Sequence, residues 1–401
     1  MKTWADWGFS ESPFKVTPLL PDDQGLRLCV GRDKEIELVA SRLHRQQKIT
    51  CIDGKVGVGK TSLVNIAAFT CLKRYLNRET QQLLIPAGTS FQLTKNPDVE
   101  EFAQRVFRTV AQALIDAASS VKNDLSLSMD EWPQVNKWLN SPTISHVHAG
   151  LHWFVSLGKT HQNNIGPGFE KHGLEQVVAE WLREIFPQHG SGGVVCVIDN
   201  MELLETSETA REILEQLRDR MFNLPGLRWV LCGANGVIHS LAASPRIGGY
   251  LAMPVVDVEE IAPGEIPSLI ARRIREYSIE ERLTYLPIDM QCLEHLYTVA
   301  NFNLRDFLAL ADEFSCHVMD TTSKLAPDDE KSDLYHNWLH TATTQRYQAL
   351  RTFLTQSEWA ILDVAMSDEL KGTFGVSQFD VFNKIRADHL RLVHSRSSSA
   401  S

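Results

Sequence analysis

Long apolar segments are missing from this chain of 401 residues. Hydrophobic residues make up 43% of it, yet no run approaches the ~20 apolar residues that a membrane-spanning helix needs. The N-terminus, Met1-Lys2-Thr3-Trp4-Ala5-Asp6-Trp7, has no apolar core of the kind found in signal peptides. We therefore expect a cytoplasmic protein without a membrane partner, long enough for two or three domains.

Paired cysteines are missing as well. The seven cysteines are scattered singly and no C-x-x-C pair occurs, which argues against a common zinc site and against a disulfide framework. Cys51, Cys196 and Cys232 each lie in a short apolar run. We expect them to be small buried residues at matching depth in three neighbouring strands.

An excess of positive charge is also absent. The chain carries 40 basic and 50 acidic side chains, a net charge of −10. Such a balance does not hold nucleic acid by bulk electrostatics, so any contact with DNA must come from a local patch.

What the sequence does contain is a glycine-rich run that fits the pattern G-x-x-x-x-G-K-[ST]. An apolar strand is predicted before it, at 48–53, and a helix after it, at 62–69. Strand, loop and helix N-terminus together form an anion cradle, in which Lys60 reaches the β- and γ-phosphates and the Thr61 hydroxyl ligates Mg²⁺. The sequence thus predicts binding of a nucleoside triphosphate, which we take to be ATP with Mg²⁺. The predicted cradle is Gly54, Lys55, Val56, Gly57, Val58, Gly59, Lys60, Thr61 and Ser62.

Apolar strands alternate with helices along the first two thirds of the chain, which predicts an α/β fold with a parallel sheet. Further strands are expected at 83–86, 193–199, 227–233 and 255–258, and helices at 97–118 and 208–222. From Gly264 onward the pattern is helical. The predicted domains are an N-terminal extension (1–27), a nucleotide-binding domain (28–262) with an insertion or loop (120–192), a helical lid (263–323), a linker (324–333) and a C-terminal helical domain (334–401).

Asp199 ends a buried strand and is predicted to hold Mg²⁺ through water, although a strand-end turn residue is the alternative. The next residue matters for hydrolysis. Hydrolytic proteins of this class usually place a glutamate there to orient the attacking water, whereas this chain has Asn200. An amide positions water but cannot accept its proton. Glu202, one helical turn later, could serve as the base, so hydrolysis is predicted to be slow.

Three more residues could face the same phosphates. Asn235 follows the strand at 227–233 and could polarise the attacking water, or simply form a turn, because Asn-Gly is a strong turn signal. Arg246 precedes the last strand and Arg305 opens a helix of the lid. Each arginine could sense phosphate or form a surface salt bridge.

Six short motifs, in their order along the chain, resemble those of the AAA+ ATPases. The resemblance is nearest to the origin-recognition and replication-initiator branch and to related transposon or defence ATPases. The resemblance covers residues 10–320. It implies that Asn235 is sensor 1, that Arg305 is sensor 2, and that Arg246 is an arginine finger acting on a neighbouring subunit, hence a homo-oligomer. The motifs are Val30-Gly31-Arg32, the glycine-rich run, Val197-Ile198-Asp199-Asn200, Gly233-Ala234-Asn235, Ser244-Pro245-Arg246 and Asn303-Leu304-Arg305-Asp306.

In the initiator branch a winged helix that binds DNA follows the lid. Two helices are predicted here, at 356–365 and 376–385, and residues 384–396 hold four basic side chains against Asp388 alone. This local patch would suit DNA. The alternative is a plain helical domain for protein interaction, because residues 333–401 carry seven acidic and seven basic side chains.

Three functions are compatible with these features. The first is an AAA+ ATPase that uses ATP to control assembly on DNA or on a partner protein. The second is a nucleotide-gated signalling or antiviral defence scaffold that holds an effector protein through the tail and the insertion. The third, a metabolic P-loop kinase, is disfavoured because no acceptor site is evident.

Overall fold

The computed structural model describes residues 3–45, 48–94, 98–118, 121, 171–204, 207–243, 246–322, 325–355 and 358–359. The chain divides into two compact units, residues 1–325 and 326–401. Most of the predicted insertion and most of the predicted C-terminal domain, with its basic segment 384–396, therefore lie outside the described residues. No helix within the described ranges is long and apolar enough to cross a bilayer.

The first unit is built on a parallel sheet of five strands in the order β2-β3-β4-β1-β5. The predicted α/β fold class is therefore confirmed. The two central strands β3 and β4 are buried along their whole length, as expected for near-continuous apolar runs covered on both faces. The strands are β1 (Thr50–Asp53), β2 (Leu83–Gln92), β3 (Gly192–Asp199), β4 (Leu227–Gly233) and β5 (Val256–Asp257).

Helices cover both faces of this sheet. The helix predicted at 97–118 is present as α4 (Val99–Ala118) and buries one apolar face, as does α2 (Asp33–Arg45). The observed elements run longer than predicted in two places, because α3 begins inside the glycine loop and β2 continues past a register shift. The helices are α1 (Asp23–Leu28), α2 (Asp33–Arg45), α3 (Lys60–Leu76), α4 (Val99–Ala118), α5 (Lys171–Ile185), α6 (Ser207–Leu217) and α7 (Val237–Ala242).

The three strand cysteines are buried in neighbouring strands, but the prediction of matching depth was wrong. Cys51 lies opposite Leu231 in the register of β1 and β4, whereas Cys196 lies opposite Trp229, two positions earlier along β4. Cys51 and Cys196 join the core on one face of the sheet, and Cys232 joins the core on the other. Strand register is set by pairing, and a shift by one residue turns a side chain to the opposite face.

Three helices predicted for the lid follow the sheet. Asp289 and Asn303 each begin a helix as N-cap, their side chains accepting the N–H groups of Cys292 and Asp306. Such caps satisfy backbone donors that a helix start leaves free. These helices are α8 (Ile266–Tyr277), α9 (Met290–Val299) and α10 (Leu304–Thr321).

The predicted linker at 324–333 differs from the structure. Helix α11 (Asp328–Phe353) begins inside it, directly after Pro327. Three acidic residues, Asp328, Asp329 and Glu330, occupy its first turn. Negative charge at a helix N-terminus is stabilised by the helix dipole. These acidic residues therefore favour the start of a helix where the sequence predicts a linker.

Candidate functional site: a phosphate loop beneath a helical lid

The glycine loop connects β1 to α3 at the carboxyl edge of the sheet. Gly57 and Gly59 have φ angles of 84° and 99°, in the left-handed region that glycine adopts without steric cost. Gly59 is the N-cap of α3, so the helix begins at Lys60. The loop thus directs free N–H groups and the positive end of the helix dipole into one concavity, as the sequence predicts.

Lys60 lies inside this concavity. Only 6% of its surface is exposed, and its Nζ donates hydrogen bonds to the carbonyl oxygens of Gly54 at 2.8 Å and Lys55 at 3.0 Å. An ammonium group has three donors, and in the folded chain two of them hold the loop closed around the cation. The sequence-predicted phosphate ligand is therefore placed before any phosphate arrives.

Thr61 and Asp199 meet at the floor of the site. The Thr61 hydroxyl donates a hydrogen bond to Oδ2 of Asp199, a residue only 6% exposed at the end of β3. Hydroxyl and carboxylate oxygens, with water and phosphate oxygens, are the donor set that Mg²⁺ prefers. The two predicted metal ligands are brought together and fit that ion.

Asn200 continues from Asp199 in an unusual conformation. Its φ angle is 58°, a left-handed value that asparagine tolerates better than most residues, and its N–H donates to Oδ1 of Asp199 at 2.9 Å. This bond orients the carboxylate toward Thr61. Asp199 and Asn200 both line the pocket.

Glu202 lies in a short 3-10 helix at Met201–Leu204, directly after Asn200. Its Oε2 is buried and has no hydrogen-bond partner among the residues that the structure describes. The side chain does not line the pocket. Burial, then the charges of Asp199 and Glu202 among others, raises the pKa of the Cys232 thiol well above its usual value. A buried carboxylate oxygen without a partner is costly.

Arg305 and the two remaining predicted residues occupy different places. Arg305 lines the pocket from the first turn of α10. Asn235 is exposed, with a φ of 58° in the turn before α7, and it does not line the pocket. Arg246 is 76% exposed and its Nη1 lies 3.1 Å from Oε2 of Glu215. Of these three residues, the structure brings only Arg305 to the pocket, and the roles of all three stay predictions.

Two further loop residues use their side chains elsewhere. Lys55 forms an ion pair with Glu260, which lowers the pKa of that carboxyl chiefly through their hydrogen bond. The Ser62 hydroxyl accepts the N–H of Leu19 at 3.0 Å. Lys55 therefore takes part in the cradle through its backbone.

Two residues that the sequence analysis did not assign to the site brace the loop. The Arg32 guanidinium donates to the carbonyl oxygens of Val58 at 3.2 Å and Glu259 at 2.6 Å. The Asn303 amide donates to the carbonyl of Val56 at 2.7 Å. Arg32 belongs to the motif Val30-Gly31-Arg32, and Asn303 belongs to Asn303-Leu304-Arg305-Asp306. Their membership in these motifs was the sequence signal that could have pointed to the site.

The rest of the pocket is largely apolar and comes from distant parts of the chain. The predicted N-terminal extension supplies one wall of the pocket, at residues 16–19. The segment after α1 and the lid supply the others. The apolar lining is completed by Leu28, Cys29, Val30, Ile261, Leu269, Leu304 and Leu308.

Within the described ranges, no group of three or more histidine, cysteine, aspartate or glutamate side chains could hold a metal ion. Burial raises the pKa of the Cys51 thiol to about 12. Such thiols stay protonated near neutral pH and act as small apolar residues.

Comparisons with known proteins leave the family open. No family model matches the chain, and neither does any curated protein. Among solved structures, the chain is similar to the Aeropyrum pernix ORC1 protein in complex with DNA, at 12% identity over 94% of this chain and 81% of that one, with a TM-score of 0.46.

Two further matches are similar in kind. The Aeropyrum pernix ORC2 protein in ADPNP-ADP complexes matches at 11% identity, over 93% of this chain and 84% of that one, with a TM-score of 0.44. Domain III of the Thermotoga maritima replication initiation protein DnaA matches at 14% identity, over 80% and 98%, with a TM-score of 0.38.

Proposed function

We propose that this protein is an AAA+-type ATPase that binds Mg·ATP beneath its lid and hydrolyses it slowly to control assembly on DNA. The observation that carries the proposal is the convergence of Lys60, Thr61 and Asp199 at one glycine loop. The lid residue Arg305 faces the same pocket. A buried cation, a hydroxyl and a carboxylate at a helix N-terminus form a site for a polyphosphate with its divalent ion.

Each residue has a distinct task in this proposal. The loop N–H groups and Lys60 neutralise the β- and γ-phosphates, while Thr61 and Asp199 would hold Mg²⁺, which supplies charge neutralisation for the leaving phosphates. Arg305 lines the same pocket from the first turn of α10 and would bind the γ-phosphate from the lid. The apolar lining would receive the nucleobase and exclude water from it.

Slow hydrolysis follows from the residues after Asp199. Asn200 can orient a water molecule but cannot accept its proton. Glu202 is the first carboxylate after Asn200 along the chain. Its Oε2 is buried and has no hydrogen-bond partner in the described part of the chain, which supports a role as base. Because it does not line the pocket, a local movement must precede proton transfer, which is a physical reason for a low rate.

Assembly is proposed from Arg246. A guanidinium that is 76% exposed and held by one surface carboxylate is free to exchange that partner for the γ-phosphate of a neighbouring subunit. Surface ion pairs stabilise by only about 0–1 kcal/mol, so the exchange costs little. The basic segment 384–396 is the proposed DNA contact, in a cytoplasmic homo-oligomer.

The ATP site is tested by calorimetric titration of Mg·ATP into wild type and Lys60→Ala. Losing charged hydrogen bonds worth about 1.5–3 kcal/mol should weaken binding at least about tenfold. Lys73→Ala is the matched control, because Lys73 lies on the same helix but pairs with Asp23 at the surface. Equal affinities in Lys60→Ala and wild type would refute the site.

The DNA contact is tested separately by fluorescence anisotropy of a labelled duplex with Mg·ATP, titrated with salt. Arg391→Ala together with Arg396→Ala should lower both the affinity and the salt slope, since each phosphate contact releases counterions. The charge-matched control also removes two basic side chains, Lys34→Ala together with Arg275→Ala, both of which are exposed on the first unit. Binding that is absent, or indifferent to salt, would favour a protein effector over DNA.

A further inference from the structure

The N-terminal residues 3–20, which we call the strap, are joined to the lid along their first half. Phe9 forms an antiparallel bridge with Ser278. Ser10 donates its N–H to the carbonyl of Tyr277, and Ile279 donates to Gly8, both at 2.8 Å. The side chains of Trp7, Phe9 and Phe14 are buried. Three large aromatic side chains and paired backbone bonds hold this half of the strap firmly in place.

One buried arginine of the lid, Arg273, donates hydrogen bonds to the middle of the strap. Arg273, on α8, is only 6% exposed, and its Nη1 donates to the carbonyl oxygens of Pro13 at 3.0 Å and Lys15 at 2.9 Å. Its Nε is buried without a hydrogen-bond partner in the described chain. Burial lowers the pKa of this guanidinium to about 10. A buried arginine without a carboxylate partner in the described chain is costly, so its two hydrogen bonds to the strap point to a role beyond filling space.

The far end of the strap is held by the phosphate-loop helix. Leu19 donates its N–H to Oγ of Ser62 at 3.0 Å, and its carbonyl accepts from Nδ2 of Asn65 at 2.8 Å. Both backbone groups of one strap residue are thus satisfied by side chains of α3, in the first two turns after the phosphate loop.

Between these two anchors the strap lines the pocket. Residues 16–19 form its wall, and Arg273 itself is among the lining residues. This short span has no helix or strand of its own. Its position is therefore decided by the anchors on either side, Arg273 at one end and the pair Ser62 and Asn65 at the other.

We propose that Arg273 is a positioning residue, which holds the strap so that residues 16–19 form the wall against which the nucleobase binds. The inference rests on the proposed ATP site and adds that the lid sets the nucleobase half of that site independently of the phosphate half. Loss of the anchor should weaken binding of the whole nucleotide while leaving the triphosphate moiety bound as before.

The experiment compares Mg·ATP with Mg·tripolyphosphate, which carries the phosphates without the nucleoside, by calorimetry on the full chain. For Arg273→Met we expect about a tenfold loss for ATP, the effect of about 1.4 kcal/mol of lost hydrogen bonding, and less than about a twofold change for tripolyphosphate. Arg273→Lys, which keeps one donor to the carbonyls, should recover part of the loss. Arg275→Met, an exposed arginine on the same helix, should match wild type with both ligands.

The outcomes separate this inference from the proposed function. Equal losses for ATP and tripolyphosphate, or no loss for either, would overturn the role of Arg273. If Arg273→Met fails to fold, Asn65→Ala removes one of the two hydrogen bonds of the other anchor and must show a selective loss for ATP over tripolyphosphate for the inference to stand. Wild-type protein that binds neither ligand would refute the ATP site itself.

Discussion

Gly57 lies where the phosphate loop touches the lid, and its replacement by alanine tests that contact directly. A Cβ atom built at Gly57 would lie 2.3 Å from Oδ1 and 2.8 Å from Nδ2 of Asn303. Asn303 must then move, and it must give up both its bond to the Val56 carbonyl at 2.7 Å and its cap on Asp306 at 3.2 Å. The substitution should therefore release the first turn of α10 from the loop.

The same loop supplies the control. Gly59 also has a positive φ, but a Cβ there would meet nothing within 4 Å. Gly59→Ala should cost only the left-handed strain of about 1–2 kcal/mol. Gly57→Ala should cost that strain plus about 1–2 kcal/mol for the two displaced hydrogen bonds of Asn303.

The measurement is urea unfolding of each variant without nucleotide, followed through the slope and midpoint of the transition. Asn303→Ala alone should lower the free energy of unfolding by about 2 kcal/mol. In the Gly57→Ala background it should lower it by almost nothing more, because those bonds are already broken. Additive losses at the two positions, or equal losses for Gly57→Ala and Gly59→Ala, would refute the loop–lid contact.

Wild-type turnover should lie below about 1 s⁻¹, against an enzyme median of about 10 s⁻¹. Asn200→Glu should raise it by supplying a base, while lowering the free energy of unfolding by about 1 kcal/mol because glutamate tolerates the left-handed backbone less well. Unchanged turnover would show that Asn200 is no handicap. Glu202→Gln should leave Mg·ATP affinity unchanged in calorimetry and abolish turnover in a phosphate-release assay. Retained turnover would exclude Glu202 as base. Arg246→Ala should bind ATP normally yet lose ATP-dependent assembly in light scattering, whereas Arg211→Ala, which removes the other partner of the same carboxylate, should assemble. A mixture of Arg246→Ala with Lys60→Ala should regain partial turnover. A monomer in every nucleotide state would refute the finger.

Local features of the chain were predictable from the sequence alone. The phosphate loop, the alternation of strands and helices, and the helical lid each depend on residues within one short window. Glycine at a fixed spacing before a lysine specifies a backbone path, and apolar periodicity specifies an element type. Asp199 lies far from Lys60 and Thr61 along the chain, but the carboxyl ends of parallel strands meet at one edge of a sheet, so a cluster of the three could be predicted. The structure brings Thr61 and Asp199 into contact, and all three residues line one pocket.

Contacts between distant segments were decided only by the tertiary structure. The positions of Cys51 and Cys196 along the sheet are set by strand pairing. Both residues lie in apolar runs, so the sequence predicts their burial but not this register. The pocket-lining residues 16–19 of the strap have no helix or strand of their own, so they carry no periodic signal in the sequence. The hydrogen bonds that hold this end of the strap go to Ser62, Asn65 and Arg273, which lie far away along the chain. The position of this end, and with it one wall of the nucleotide pocket, exists only once the lid and the phosphate-loop helix have folded around it.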